Sequence, residues 1–376
     1  MRIAHVIARL NVGGTARWLD VLTTELQAQG HEVMILAGNV QSGEAEDPSV
    51  STLPVRKIES LGRAVSPFDD LRALSEIRSA LVEFNPDLVN THTAKAGTLG
   101  RLAARSIRNR PALVHTVHGH LLHGYFSPLV VRGVTGVERT LASLSDLVFA
   151  AGTQVGEDLV QAGAVPRRKL RIVMPGVTDI ARIPRDEAFT RLELGSVVST
   201  RYVAVVGWLA RIVPVKGPDL LLEVARANPE VLFLVGGDGS ERARMESLAP
   251  SNVHFTGWTS PEVFWSACDI GLLTSQNEAV PYSILEASLF GIPVVSTDVG
   301  SVRDLIEDGV TGFIEGGVKP SVADAVRDLS ERRDERDLMG SEGRAFVLRK
   351  FSPQAMGERH CELYEEALNM RKRKSR

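Results

Sequence analysis

Val203-Ala204-Val205-Val206-Gly207 is a short apolar run closed by a glycine, and it restarts a pattern with which the chain begins. At the N-terminus Ile3-Ala4-His5-Val6-Ile7-Ala8 leads into the glycine pair of Asn11-Val12-Gly13-Gly14-Thr15-Ala16-Arg17. Runs this short read as strands buried on both faces, and the longer amphipathic stretches behind them read as covering helices. Working outward, the same alternation places strands at 32–37, 87–91, 113–117, 146–150 and 170–174, with helices at 15–29, 71–84 and 95–108. That is a doubly wound α/β domain. After Pro175-Gly176 a polar connector with Pro184 interrupts the pattern, and further strands follow at 203–207, 231–235, 253–256, 269–273, 293–296 and 312–314.

Two Rossmann-like domains in tandem are therefore expected, at 1–180 and 181–352. A C-terminal segment, 353–376, carries a helix and a basic tail. Ligands of open α/β sheets bind at the carboxyl ends of the strands, so a central cleft faced by both domains is the expected active site. The polar segment 38–51, with its glycines and acids, is expected to be mobile.

The totals exclude several classes. At 376 residues the chain suits two domains, and 44% hydrophobic with 24% charged residues is ordinary for globular proteins. A net charge of -3 and a pI near 6.3 give no general attraction to nucleic acid, and no nucleic-acid-binding motif occurs. Cys268 and Cys361 are the only cysteines, far apart, which fits a reducing compartment and offers no metal-ligand spacing. Nothing resembles a signal peptide or a run of about 18 apolar residues, so a cytoplasmic location is expected, with any membrane contact peripheral at the inner face.

The stretch richest in chemistry is Asn277-Glu278-Ala279-Val280-Pro281-Tyr282-Ser283-Ile284-Leu285-Glu286-Ala287-Ser288-Leu289-Phe290-Gly291-Ile292-Pro293. Pro281 suits the first turn of a helix, where its missing N–H costs nothing. A helix start offers free N–H groups and a positive dipole end to a diphosphate, and flanking carboxylates accept hydrogen bonds from sugar hydroxyls. Two glutamates by themselves read equally well as a solvated helix face. With this context, the sequence resembles the retaining glycosyltransferases of family 4, which have the GT-B fold and carry a Glu-x7-Glu motif followed by Ala and a Gly-x-Pro turn. Glu278 and Glu286 have that spacing, and Gly291-Ile292-Pro293 supplies the turn. The resemblance implies that Glu278 contacts donor-sugar hydroxyls and Glu286 the ribose, with Tyr282 and Ser283 at the helix start in the donor-binding set. The chain departs from many members at Ala279-Val280-Pro281-Tyr282, where they have glycine and aromatic residues.

Four further motifs fit the same reading. In Arg211-Ile212-Val213-Pro214-Val215-Lys216-Gly217 two cations at a strand end neutralise a pyrophosphate and the charge that grows on it, and the resemblance makes Arg211 and Lys216 the phosphate-binding pair. Trp208-Leu209-Ala210 reads as an extension of the loop before them. Gly13 and Gly14 let backbone N–H groups approach an anion or sugar, and their spacing is not the dinucleotide fingerprint of a dehydrogenase. Gly236-Gly237-Asp238-Gly239 forms a tight turn, placing Gly237, Asp238 and Gly239 along a nucleotide pocket. Val253-His254-Phe255-Thr256-Gly257-Trp258 matches a stretch that passes near the base in relatives.

His115-Thr116-Val117-His118-Gly119-His120, with His123 nearby, lacks the carboxylate or cysteine partners of a metal site. The resemblance implies that His118 sits near the donor's hydroxymethyl group and reaction centre. No Asp-x-Asp motif occurs, so neither a metal nor another cofactor is expected, and phosphate charge falls to Arg211, Lys216 and the helix start.

The expected reaction is transfer of a hexose-type sugar from a nucleotide diphosphate sugar, a UDP-sugar being the family's commonest donor, to a glycan or lipid-linked acceptor in polysaccharide or glycoconjugate synthesis. Fixed cations favour the departing diphosphate in the transition state, and the resemblance implies retained anomeric configuration. Arg101, Arg105 and Arg108 recur at helical spacing and read as a basic stripe for an anionic membrane surface or lipid-linked diphosphate, helped by Arg371-Lys372-Arg373-Lys374-Ser375-Arg376. A sugar-nucleotide epimerase and a catalytically silent sugar-nucleotide-binding protein are the rival readings.

Overall fold

The structure, a computed structural model, describes residues 1–40, 45–62, 64, 66–119, 128–195 and 201–374, with backbone alone at 128–131 and 374. The chain forms two compact units, Met1–Gly176 with Phe351–Arg376, and Val177–Lys350.

The first unit holds seven parallel strands: β1 (Arg2–Ile7), β2 (Glu32–Ala37), β3 (Val55–Lys57), β4 (Leu88–His92), β5 (Ala112–Val117), β6 (Leu147–Ala151) and β7 (Leu170–Val173). Their order across the sheet is β3-β2-β1-β4-β5-β6-β7. Alternation along β1 sends Ile3 to one face and Ala4 to the other. Ile3 packs with Leu88, Val114 and Phe149 beneath α1 (Gly14–Ala28) and the C-terminal helix α13 (Pro353–Lys374). Ala4 packs with Val89 and Leu113 beneath α2 (Pro67–Phe84) and α3 (Ala94–Ser106). Helices α4 (Pro128–Leu144) and α5 (Thr153–Gln161) follow β5 and β6.

The second unit has the strand order β10-β9-β8-β11-β12-β13, again all parallel. These are β8 (Ala204–Leu209), β9 (Val231–Gly236), β10 (Val253–Gly257), β11 (Ile270–Leu273), β12 (Val294–Ser296) and β13 (Gly312–Ile314). Its helices are α6 (Arg185–Arg191), α7 (Pro218–Ala227), α8 (Arg242–Leu248), α9 (Pro261–Ser266), α10 (Tyr282–Leu289), α11 (Val322–Glu331) and α12 (Arg333–Lys350). Val206, Trp208, Phe233, Ile270 and Val295 share one core cluster, and each fully buried aromatic of this kind contributes about 1.5–3 kcal/mol. In both sheets the winding reverses at the centre, between β1 and β4 and between β8 and β11. Loops leaving those strands diverge there and open a crevice.

Five expectations change. Trp208 and Leu209 belong to β8 and do not extend the loop, because Trp208 is a buried core residue whose Nε1 donates to Thr274 Oγ1 at 2.9 Å. Much of 38–51 is tied down: Val12 N donates to Ala45 O at 3.1 Å, Asp47 N donates to Leu10 O at 2.9 Å, and Pro48–Thr52 forms a 3-10 turn; residues 41–44 lie outside the described residues. Edge strand β3 is an addition, and the connector near Pro184 continues as α6.

The basic stripe on α3 does not exist. Arg101 is fully buried, with Nη2 donating to both oxygens of Glu138 at 3.2 Å, and Arg105 donates to Leu144 O and to the buried Asp146. Helix α4 covers the face that helical spacing had placed in solvent, and of the three arginines Arg108 alone is exposed.

Candidate functional site

The switch point of the second sheet brings together two loops remote in sequence. After β8 the chain runs through Arg211 into a short 3-10 turn, Pro214–Lys216, and Gly217 turns it at φ 65°. A Cβ on Gly217 would stand 1.9 Å from Thr274 O, so glycine alone permits this approach to the end of β11. The approach is then stitched: Gln276 N donates to Val215 O at 2.9 Å and Thr274 Oγ1 donates to Lys216 O at 3.0 Å. Lys216 Nζ consequently forms an ion pair with Glu278 Oε1, which also accepts Ser275 Oγ at 2.6 Å. Both side chains are largely buried, at 19% and 9% exposure, so the pair interacts in a medium less screening than water.

The other motif residues differ in how far they face this loop pair. Arg211 is exposed on the loop after β8. Tyr282 and Ser283 open α10, half-buried, behind Pro281, and the helix start has no side-chain cap. Glu286 sits one turn further on, 5% exposed, its Oε2 accepting Trp265 Nε1 at 3.3 Å. Gly237 and Gly239 have a structural duty: a Cβ on either would strike backbone, at 2.1 Å from Ala210 O and 2.2 Å from Ile212 O. Their turn braces the Arg211 loop through Ala210 N to Gly236 O at 3.1 Å and Ile212 N to Asp238 O at 2.9 Å. Asp238 closes its own turn on Gly239 N at 2.7 Å and lies 3.6 Å from Arg242. At the end of β10, Gly257 O accepts Gly237 N at 2.8 Å, and Trp258 is 68% exposed.

The first unit presents its own set at the β1–β4 switch point. Gly13, at φ 153°, makes the turn into α1, and Asp47 holds it by accepting Gly13 N at 3.4 Å. Gly14 is the exposed first residue of α1. His118, one residue beyond β5, places Nε2 at 2.8 Å from His92 Nδ1, and the Trp18 ring meets it edge-on at 5.0 Å. Burial and the neighbouring His360 push the His118 pKa down to about 3, so the ring is neutral at pH 7. His115 points elsewhere in the core, with Nδ1 at 2.9 Å from Thr91 Oγ1, and His120 and His123 lie outside the described residues. Among the described residues no group of three or more His, Cys, Asp and Glu is arranged to hold a metal ion. A cavity of about 1000 Å³ in this unit is bordered by Asn11 and Thr15 of the glycine loop and Thr93 after β4.

Residues 12–179 match the family described as Glycosyltransferase Family 4, and residues 201–346 match Glycosyl transferases group 1. A D-inositol 3-phosphate glycosyltransferase of Corynebacterium jeikeium (strain K411) is 30% identical over 311 residues, 74% of this chain and 72% of that protein. The chain belongs to glycosyltransferase family 4. This family-4 chain is also 28% identical to the Sulfoquinovosyl transferase SQD2 of Arabidopsis thaliana, over 76% of its own length and 56% of that protein. It is 28% identical to a GDP-mannose-dependent alpha-mannosyltransferase of Mycobacterium tuberculosis (strain CDC 1551 / Oshkosh), covering 86% and 85%. Among solved structures, Anabaena Alr3699/HepE in complex with UDP superposes with a TM-score of 0.80 at 22% identity, covering 97% of this chain and 100% of that one. Sucrose-phosphate synthase from Thermosynechococcus elongatus does so at 0.81 and 18%, covering 97% and 98%. Both likenesses show the fold, which is GT-B.

Two contributors to the site went unread in the sequence of this glycosyltransferase. Ser275 shares Glu278 with Lys216, and its only signal was a hydroxyl three residues before the first glutamate. His92 meets His118, and its signal was the polar end of an otherwise apolar strand, Asn90-Thr91-His92.

Proposed function

We propose that this chain transfers a hexose-type sugar from a UDP-sugar to a lipid-linked or glycan acceptor, with retained configuration and without a metal. The observation that carries the reading is the Lys216–Glu278 pair, fixed with Ser275 at the switch point of the second sheet. In this reading the diphosphate takes the Lys216 ammonium from Glu278, and the freed carboxylate accepts hydroxyls of the donor sugar. Arg211 and the uncapped start of α10 add positive potential where charge accumulates on the departing phosphate. Glu286 grips the ribose through what remains accessible of its carboxylate. The departing phosphate accepts the proton of the attacking hydroxyl as the C1–O bond to the diphosphate breaks and the new glycosidic bond forms. UDP as the nucleotude carrier is supported by the bound UDP of the Anabaena structure, although the mycobacterial relative is named for GDP-mannose.

The acceptor is assigned to the cavity beside the glycine loop. Lys95 pairs with Asp70 and Glu138 with Arg101, Arg9 adds a cation to the lining, and Leu99, Val134 and Val137 form its apolar walls. Apolar walls favour an acceptor with an apolar portion, as in a lipid-linked sugar. The test is release of free nucleotide from a panel of UDP- and GDP-sugars, with and without lipid-linked and soluble acceptors. Acceptor-dependent UDP release with glycosylated product is expected. Conversion of the donor without acceptor, or binding without release, overturns the proposal.

A further inference from the structure

The face of the first sheet beneath α1 and α13 is apolar at its amino end and polar at its carboxyl end. There His5 of β1, His92 at the end of β4 and His118 beyond β5 form a line of imidazoles. His5 Nδ1 lies 3.0 Å from His92 Nε2, and His92 Nδ1 lies 2.8 Å from His118 Nε2. Consecutive ring centroids are 5.3 and 5.0 Å apart. His5 and His92 are fully buried. Burial, reinforced by the other histidines, pushes His5 down to about 3 and His92 well below its ordinary value, so all three rings are neutral at pH 7.

A hydrogen bond between two neutral imidazoles needs one hydrogen, supplied by one partner and accepted by the other. Three rings in series therefore share a single choice: the hydrogens sit on every Nδ1, or on every Nε2. The far end decides between them, because His5 Nε2 is buried with no hydrogen-bond partner. Hydrogens on Nε2 would leave an orphaned N–H there, whereas hydrogens on Nδ1 leave a bare lone pair, the lesser penalty in a protein interior. His5 then donates to His92, His92 donates to His118, and the His118 hydrogen is on Nδ1. No described residue bonds to that nitrogen.

We infer that His92, backed by His5, is a positioning residue that holds His118 in the Nδ1–H tautomer, so that His118 meets a ligand at the switch point of the first sheet as a hydrogen-bond donor and not as a base. This deepens the proposed function and rests on it for the identity of the ligand, while the tautomer is a property of the protein alone. The edge-on Trp18 ring fixes the plane of His118, and His92 fixes its rotation and its hydrogen.

The test has two arms. Long-range proton–nitrogen NMR correlations on histidine-labelled protein should show His118 with a protonated Nδ1 and an unprotonated, hydrogen-bonded Nε2. In His92→Phe that preference should be lost, with kcat reduced on the order of 10²-fold and the donor KM nearly unchanged, because the perturbation reaches the substrate only through His118. His92→Asn retains an N–H donor and should restore the tautomer and part of the rate. Wild-type His118 carrying its hydrogen on Nε2 overturns the inference even if the variants fail to fold. So does a folded His92→Phe protein with the tautomer and kcat of wild type. Loss of transfer in His118→Ala supports the parent reading separately, and undiminished transfer there removes His118 from the reaction whatever its tautomer.

Discussion

Replacing Gly239 by Ala tests whether the glycine turn serves the nucleotide directly or through its neighbour. Gly239 has no positive φ, so alanine meets no backbone strain, and the residue is exposed. The added Cβ would stand 2.2 Å from Ile212 O and 2.6 Å from its carbonyl carbon, and backbone on both sides leaves no flexible side chain to yield. Restoring an ordinary 3.4 Å separation moves one loop against the other by about 1.2 Å. Ile212 N and O are both bonded to the glycine turn, so the segment carrying Arg211 shifts with it. A displacement of about 1 Å in a positioning group costs on the order of 10²-fold in rate, whereas local overpacking costs about 1–3 kcal/mol of stability. The assay is acceptor-dependent nucleotide release alongside chemical denaturation. Gly239→Ala should lose about 10²-fold in kcat/KM, and the same change in an Arg211→Ala background should cost far less, since the loop then has no cation to misplace. A folded Gly239→Ala enzyme of normal activity refutes the reasoning, and a full additional loss in the Arg211→Ala background shows that the turn itself touches ligand.

Two further outcomes concern the first unit. Arg101→Met strands the Glu138 carboxylate in the interior and should cost about 3–5 kcal/mol, while the double change Arg101→Met with Glu138→Leu should recover most of it; a loss below about 1 kcal/mol in urea unfolding would put Arg101 back on the surface. Acidification should destabilise this unit through its histidines. The unfolded chain takes up a proton near pH 6.5, whereas folded His5 and His118 do so only near 3. Stability therefore falls as pH drops below 6.5, by about 2 kcal/mol for each of the two at pH 5. Urea midpoints between pH 7 and 5 check the slope, which His5→Phe should flatten.

The β1 and β8 runs were legible because a strand buried on both faces must be apolar throughout, and both sheets follow from that one constraint. Gly207 misled because glycine after an apolar run resembles a strand end. It lies within β8, where a Cβ would meet Cys268 Sγ at 2.5 Å and Phe264 at 2.9 Å. Edge strand β3 is partly exposed, and Val55-Arg56-Lys57 carries no burial signature. The α3 arginines show the limit of periodicity: spacing places Arg101 and Arg105 together, but Glu138 and Asp146, remote in sequence, decide that the face is covered. Lys216 and Glu278 were each singled out by motif, yet their meeting depends on Gly217 packing against Thr274, a tertiary contact that no local pattern encodes.

The central claim is that Lys216 holds the diphosphate while Glu278 holds the sugar. Calorimetric affinities of UDP and an intact UDP-sugar for Lys216→Ala and Glu278→Ala separate those roles most directly. Lys216→Ala should weaken both ligands, and Glu278→Ala should weaken the UDP-sugar while leaving UDP binding near wild type. Equal, undiminished binding of both ligands by both folded variants would contradict the account.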